Sequence, residues 1–497
     1  MQKQQGFGHD GNIGTGRRLL LVPQDTALPP SNPGVLPWEA LAPDDKRVAI
    51  RLQQAYAGFL EYSDLQFGRL LDFLESTGKL ENTLIVLMSD NGASVDCGPN
   101  GTTNVLRWFN HIEDDNARNL ADIDLIGTPR GFSNYPWGWA QASNTPLKLY
   151  KSWVHGGGVR DPMIVHWPAN IKDGGGLRHQ FVHAVDVMPT VLDVCGLSVP
   201  ETYKGVPQMP VHGTSFAQTL TQPNAPTRKT TQYFEMYGHR SLWHKGWKAV
   251  TNHKTGQSFE KDEWELYHLD QDFSESRNLA SHFPEKLSEM VERWWAEAGK
   301  YDVMPLDDRR EVLFKPSPRP DSVRAGTHFV YYPGIAPIPA QAAPLTPDVS
   351  HRIEVRLEMR EGDAGVLLSF GNSAGGYALL IKDGRLIYVY NRCGEMTRLE
   401  STALLRAGNQ TLAFVFKKTA TLQGTGQLEL NGHTVGEAWF GQTLRRISLS
   451  PMLIGSGALP PISDDYVNEC AFTGRIEKVR FSLGADREVA APAGHID

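Results

Sequence analysis

The sequence lacks long apolar runs, and it has no excess of basic residues. No stretch approaches the ~18 consecutive apolar residues that a membrane-spanning helix needs, so no membrane span is predicted. The formal net charge is −7, whereas a nucleic-acid-binding surface normally shows a basic excess. We therefore expect no nucleic-acid partner, and any anionic ligand must be met by a few individually placed cations.

Cysteine is also scarce. The four cysteines lie far apart and form no CxxC pair, which argues against a zinc knuckle and against a dense disulfide framework. This pattern favours a reduced, cytoplasmic setting. The first residues, MQKQQGFGHDGNIGTGRR, lack the apolar segment of a secretory signal.

With 497 residues, the chain is too long for one hydrophobic core. An apolar helical pattern from Pro43 to Gly78 precedes TLIVLM, a run typical of a strand buried on both faces in a parallel sheet. A second apolar strand, PMIVHWP, and a helical stretch, AVDVMPTVLDVCG, follow it. This alternation predicts an α/β sheet.

The remainder of the chain has a β pattern. Short strands such as TQYFEMYG and WELYHLD precede a helix around FPEKLSEMVERWWAEAG, and 351–484 alternates as in an all-β sandwich, with turns at Asp383-Gly384 and Asn431-Gly432. The predicted domains are an α/β part at 1–227, an antiparallel subdomain at 228–304, a proline-rich linker at 305–350, the sandwich at 351–484 and a tail at 485–497.

Several polar residues are candidates for chemistry. Asp90 and Asn91 follow the first apolar strand, where open α/β sheets place their ligands, and their oxygen atoms suit Ca²⁺ or Mg²⁺. Lys151 precedes a glycine triplet that lets the backbone approach an anionic ester closely. Taken alone, however, Asp-Asn-Gly favours a simple turn, and Lys151 an ordinary surface lysine.

Other candidates have structural alternatives of equal or greater weight. His155 is either a general acid or substrate contact, or a structural histidine. Asp186 favours helix capping over a role in orienting a loop. An aryl-binding pocket and simple packing beneath a loop equally explain the aromatic residues Trp108, Phe109, Tyr135, Trp137 and Trp139.

In order and spacing, these segments resemble the sulfatase branch of the alkaline-phosphatase superfamily, and bacterial arylsulfatases in particular. LIVLMSDNGAS is similar to the family's metal-binding turn, and WAQASNTPLKLYKSWVHGGGVRDPMIVHWP to its lysine segment. HAVDVMPTVLDVCGL, GWKAV and WELYHLDQDFSESRNLA resemble its carboxyl-terminal subdomain. The resemblance covers about residues 40–300 and implies an incomplete sulfatase-type α/β domain, followed by a sandwich similar to laminin-G or concanavalin-like modules.

The resemblance implies a sulfuric ester hydrolase that acts on a small-molecule sulfate ester. Asp90 and Asn91 would bind one divalent cation, usually Ca²⁺, and Lys151 would contact the sulfate. His155 keeps both readings, and at Gly156 many relatives carry Glu or Gln. Two alternatives stay open: a non-catalytic protein whose sandwich binds carbohydrate or protein, and a phosphate or phosphonate ester hydrolase.

The sequence departs from the family at the nucleophile. Sulfatases form formylglycine within a C/S-x-P/A-x-R motif, and the nearest matches, at Ser31, Cys97 and Ser198, all lack the arginine. An early aspartate pair and upstream lysine and histidine contacts are also missing. We therefore expect that the chain begins after that half of the domain, and that alone it hydrolyses aryl sulfates at or near background.

Overall fold

The computed structural model describes residues 22–310, 326–447 and 450–486. The chain divides into two compact units. The first comprises Met1–Ala40, Ala57–Val95 and Trp137–Leu313, and the second comprises Leu41–Tyr56, Asp96–Pro136 and Phe314–Asp497. Residues 1–21 of the predicted α/β part and residues 487–497 of the predicted tail lie outside the described residues.

The described helices and strands follow in chain order. The helices are α1 (Pro43–Ser76), α2 (Val105–Phe109), α3 (Asn116–Ala121), α4 (Trp137–Asn144), α5 (Gly156–Val159), α6 (Val187–Val194), α7 (Ala217–Thr221) and α8 (Pro284–Lys300). The strands of the first unit are β1 (Ile85–Met88), β2 (Met163–His166), β3 (Thr202–Tyr203), β4 (Val206–Pro207), β5 (Thr231–Met236), β6 (His239–His244), β7 (Trp247–Thr251) and β8 (Trp264–His268).

The strands of the second unit are β9 (His328–Tyr331), β10 (His351–Met359), β11 (Gly365–Asn372), β12 (Gly375–Lys382), β13 (Arg385–Arg392), β14 (Glu395–Glu400), β15 (Gly408–Ala420), β16 (Gln423–Leu430), β17 (His433–Phe440), β18 (Met452–Ile454) and β19 (Arg475–Leu483). Within the described ranges, no helix is long and apolar enough to cross a membrane.

Helix α1 confirms the predicted helix and its end. Acidic Asp44 and Asp45 lie in its first turn, where they interact favourably with the helix dipole. After Ser76 the chain reaches Gly78 at φ +66°, a left-handed conformation that glycine adopts without a steric penalty. The amide of Gly78 donates to the carbonyl of Glu75 at 2.8 Å, which ends the helix.

The prediction that the first apolar strand lies in a parallel sheet, buried on both faces, is wrong. Strand β1 pairs antiparallel with β2 from Ile85 opposite His166 to Met88 opposite Met163. Within the described residues these two strands form a sheet by themselves, so Leu87 and Met88 remain exposed. An unbroken apolar run does not reveal which other segments pack against the strand. Burial on both faces would require such neighbours on each side, and here β1 has only β2 beside it within the described residues.

Strands β5 to β8 form the predicted antiparallel sheet, in the order β5-β6-β7-β8. Helix α8 packs on this sheet, and Trp294 at the centre of the helix is fully buried. The buried core of this subdomain consists of Leu242, Ala249, Leu266, Met290, Trp294 and Ala298.

The second unit contains the sandwich. Its six-stranded sheet has the order β17-β16-β15-β10-β19-β9, and its five-stranded sheet has the order β14-β13-β12-β11-β18. Asp383-Gly384 and Asn431-Gly432 both adopt positive φ angles and form the predicted hairpin turns. Strand β9 pairs with β19, and it lies within the segment 305–350 that the sequence predicted as a proline-rich linker.

Residues 96–136 pack with this sandwich. Leu106 is fully buried in the sandwich core, and Nδ2 of Asn104 donates to the carbonyl of Ala374 at 2.8 Å. Asn110 exchanges two hydrogen bonds, each of 2.9 Å, with the backbone of Arg446. The long segment after the Asp-Asn-Gly turn is therefore part of the second unit.

Candidate active site

A cleft of about 2470 Å³ in the first unit contains three of the predicted site residues. Asp90, Asn91 and Lys151 all line it. Asp90 is exposed, whereas Asn91 and Lys151 are partly buried. The structure thus places a carboxylate, a carboxamide and a lysine on one cleft, although the lysine lies about sixty residues from the other two in the sequence.

Backbone hydrogen bonds join the Asp-Asn-Gly turn to the segment 151–162, and together these two segments form one wall of the cleft. The amide of Ser89 donates to the carbonyl of Pro162 at 3.3 Å, and that of Gly92 to the carbonyl of Gly158 at 3.5 Å. The amide of Lys151 donates to the carbonyl of Ala93 at 3.2 Å. The Asp-Asn-Gly turn is therefore fixed against the lysine segment by main-chain contacts.

Glycine makes this close approach feasible. A Cβ atom on Gly92 would overlap the carbonyl oxygen of Gly157, and a Cβ atom on Gly157 would overlap the carbonyl oxygen of Leu149. Only residues without a side chain allow backbones to approach so closely. The glycine triplet after Lys151 thus serves the packing of the site.

Asn144 is a residue that the sequence reasoning missed. Its Oδ1 accepts from the amide of Ala93 at 3.1 Å, and its Nδ2 donates to the carbonyls of Leu149 and Gly157 at 3.0 and 2.7 Å. The sequence could have indicated this role, because Asn144 lies at the end of a helix just before Thr145-Pro146, and a polar side chain at a helix end can hydrogen-bond to nearby backbone groups.

His155 lies behind the wall and does not line the cleft. Its ring is fully buried, and Nε2 lies 2.8 Å from Oε2 of Glu265. Burial lowers the pKa of His155, whereas the hydrogen bond to Glu265 opposes that shift. This placement favours the structural reading of His155.

Glu265 joins His155 to further partners. Lys148 Nζ lies 3.1 Å from Oε2 of Glu265 and 3.0 Å from the hydroxyl of Tyr267. Burial by itself would raise the pKa of Glu265, but the hydrogen bonds and charges of His155 and Lys148 outweigh it and lower that pKa to about 2. This network ties the lysine segment to strand β8.

Asp161 is a carboxylate near the proposed cation ligands. It directly precedes Pro162, whose carbonyl accepts from the amide of Ser89, on the chain segment that leads into β2, and it is close enough to Asp90 to sense its charge. Burial and then the charge of Asp90 raise the pKa of Asp161 to about 6. Two like charges near each other repel, so a cation bound between these carboxylates would relieve the repulsion.

The donor set fits part of a hard-cation site. Asn91 uses its Nδ2 to donate to the carbonyl of Gly92 at 2.9 Å, which leaves Oδ1 as the atom for a cation. Carboxylate and amide oxygens are ligands that Ca²⁺ and Mg²⁺ accept. Among the residues that the structure describes, however, no three His, Cys, Asp or Glu side chains are close enough to form a metal cluster.

The remaining predicted residues have packing roles. Asp186 accepts from the amides of His183 and Thr214 at 2.8 and 2.7 Å, in agreement with the capping reading. None of the aromatic residues that were candidates for an aryl-binding pocket lines the cleft; the first three named below belong to the second unit and the last two to the first. These residues are Trp108, Phe109 and Tyr135, and then Trp137 and Trp139.

Two protein-family models match the sequence. Residues 5–197 match the family model described as Sulfatase, and residues 148–297 match the model described as N-sulphoglucosamine sulphohydrolase, C-terminal. The part of the chain that the two models match, residues 5–297, is similar to sulfatases. The predicted fold class is thereby confirmed as a sulfatase α/β domain followed by a domain rich in antiparallel sheets.

Individual relatives are sulfatases at modest identity. An uncharacterized sulfatase of Schizosaccharomyces pombe is 30% identical over 311 residues, which cover 60% of this chain and 53% of the relative. An arylsulfatase of Klebsiella aerogenes is 28% identical over 219 residues, which cover 44% of this chain and 45% of the relative. The chain therefore spans about half the length of these relatives.

Among solved structures, the crystal structure of Ps i-CgsB is 22% identical with a TM-score of 0.35, and the match covers 56% of this chain and 48% of that one.

Proposed function

We propose that this chain takes part in the hydrolysis of sulfate monoesters by binding the cation and the sulfate group. Asp90 and Asn91 bind one divalent cation, Ca²⁺ or Mg²⁺, and Lys151 contacts the sulfate group. The observation that supports this most directly is the hydrogen bond from the amide of Lys151 to the carbonyl of Ala93, two residues after Asn91. This bond joins the ammonium-bearing segment to the turn that carries the cation ligands, on one wall of the cleft.

The chemistry of these groups suits a sulfate ester. A bound divalent cation acts as a Lewis acid that polarises an ester oxygen. The ammonium of Lys151 is a compact charge that stabilises negative charge on the sulfuryl oxygens. The arylsulfatase of Klebsiella aerogenes supports this substrate class, whereas the alcohol half of the ester stays unassigned.

No residue of this chain is assigned as the nucleophile. The sequence contains no C/S-x-P/A-x-R motif, so none of its residues is given a formylglycine step. The residues present have roles in binding and orientation: Asp90 and Asn91 hold the cation, and Lys151 binds the anion.

Isothermal titration with CaCl₂ and with inorganic sulfate tests the proposal. Loss of one charge-assisted contact costs roughly tenfold or more in affinity. We expect Asp90→Asn to weaken Ca²⁺ binding and Lys151→Ala to weaken sulfate binding by about this factor. Lys300→Ala removes another lysine that lines the cleft and should leave both affinities unchanged.

Unchanged sulfate affinity in Lys151→Ala would contradict the assigned anion contact. A parallel titration with inorganic phosphate addresses the alternative of a phosphate ester hydrolase. Sulfate should bind more tightly than phosphate at pH 7, and the opposite order would favour that alternative.

A further inference from the structure

Three segments that carry the proposed site meet at the side chain of Asn144. Its Oδ1 bonds to the amide of Ala93, which follows the cation-binding turn. Its Nδ2 bonds to the carbonyl of Leu149, two residues before Lys151, and to the carbonyl of Gly157 in the glycine triplet. One carboxamide therefore connects the turn, the lysine segment and helix α5.

The peptide groups of Ala93 are held on both sides. The amide of Ala93 donates to Asn144, and the carbonyl of Ala93 accepts from the amide of Lys151 at 3.2 Å. A displacement of Ala93 would therefore strain contacts to Asn144 and to the lysine segment. The geometry of the cation ligands is thus linked mechanically to the position of Lys151.

The chemistry at position 144 is specific to asparagine. The three bonds require one acceptor and two N–H donors on a short side chain, which a carboxamide supplies. Aspartate has the same shape but lacks the donors, so its second oxygen would face the carbonyls of Leu149 and Gly157. Glutamine has the right groups, but it is longer by one methylene in a partly buried space.

We propose that Asn144 is a positioning residue that couples cation binding at Asp90 and Asn91 to anion binding at Lys151. This inference rests on the proposed function. Binding of the cation orders the turn, and Asn144 transmits that order to the lysine segment. By reciprocity, sulfate binding then strengthens cation binding by the same factor.

The test is a pair of titrations on the full chain. Ca²⁺ affinity is measured by calorimetry without sulfate and with saturating inorganic sulfate, and the ratio of the two dissociation constants gives the coupling factor. In the unmodified chain we expect a factor of about five or more. In Asn144→Ala we expect the factor to fall close to one.

Asn278→Ala is the matched control. Asn278 also joins backbone segments, since its Oδ1 accepts from the amides of Leu266 and Ala280 at 3.0 Å each. Its loss should lower the unfolding temperature but leave the coupling factor intact. Asn144→Asp is the second variant: it keeps the acceptor for Ala93, and it should lower the factor even if Asn144→Ala does not fold.

The outcomes separate the two proposals. If the unmodified chain shows coupling and both Asn144 variants retain it, the role of Asn144 is wrong while the proposed function stands. If Asn278→Ala lowers the factor as much as the Asn144 variants, the effect is a general loss of stability, and the inference fails. If the unmodified chain binds neither Ca²⁺ nor sulfate, both proposals fail.

Discussion

Nζ of Lys248 lies 2.6 Å from Oε1 of Glu275, and both side chains are at most 3% exposed. The other carboxylate oxygen of Glu275 accepts from the amide of Gly156 at 3.0 Å. Burial lowers the pKa of Lys248, and the charge of Glu275 opposes that shift. This buried ion pair holds the first glycine of the triplet against the antiparallel sheet.

Removing one member of this pair should be strongly destabilising. Lys248→Met leaves the carboxylate of Glu275 buried without its counter-charge, so we expect a loss of about 3–5 kcal/mol in the free energy of unfolding. The exposed pair of Arg293 and Glu289 provides the control, since Arg293→Met should cost less than about 1 kcal/mol. Urea unfolding measures both, and equal losses would show that Lys248 has no special role.

Substitution within the glycine triplet should disrupt the wall of the cleft. A Cβ atom on Gly157 would overlap the carbonyl of Leu149, so Gly157→Ala forces the backbone of the lysine segment to move. We expect weaker sulfate binding and an unfolding free energy reduced by about 1–3 kcal/mol.

Gly68→Ala is the control for that substitution. Gly68 lies in helix α1 with open space around the added methyl group, and alanine should stabilise the helix by roughly 0.5–1 kcal/mol. Sulfate titration and thermal unfolding of both variants compare the two positions. Full sulfate affinity in Gly157→Ala would refute the close-packing requirement.

His351 should make the sandwich sensitive to acid. Burial lowers the pKa of His351 to about 4, and its Nδ1 proton bonds to the carbonyl of Val349 at 2.8 Å. Between pH 6.5 and about 4, the unfolded chain binds a proton at this residue that the folded chain does not. Stability should therefore fall as the pH falls through this window, by up to about 3 kcal/mol.

His351→Phe keeps an aromatic ring beside Phe416 and removes the titrating group. The slope of unfolding free energy against pH between 6.5 and about 4 should become flatter in this variant. His433→Gln changes an exposed histidine on strand β17 and should keep the original slope. A slope that His351→Phe leaves unchanged would show that other groups cause the acid sensitivity.

Turnover by the purified chain should be at or near background. The residues that we assign bind a cation and an anion, and the sequence provides no formylglycine motif to attack sulfur. Release of 4-nitrophenol from 4-nitrophenyl sulfate, with Ca²⁺ present, measures this. Turnover well above background that Lys151→Ala abolishes would be the contrary result, and it would place a nucleophile within this chain.

Local patterns in the sequence determined much of the secondary structure. Acidic residues and helical spacing predicted α1, and Asp383-Gly384 and Asn431-Gly432 predicted two hairpins, because these features act over a few neighbouring residues. The motif order predicted the sulfatase family. Asp90, Asn91 and Lys151 were identified through that resemblance, and the structure places all three on one cleft.

Contacts between distant segments were decided by the tertiary structure. The pairing of β1 with β2, the bond between His155 and Glu265, and the three bonds of Asn144 all join residues that no local pattern connects. The sequence determined which residue types were available and how the chain bends locally. Only the folded chain decided which polar groups became partners, because burying a polar group without a partner is costly and the packing determines which partners lie within reach.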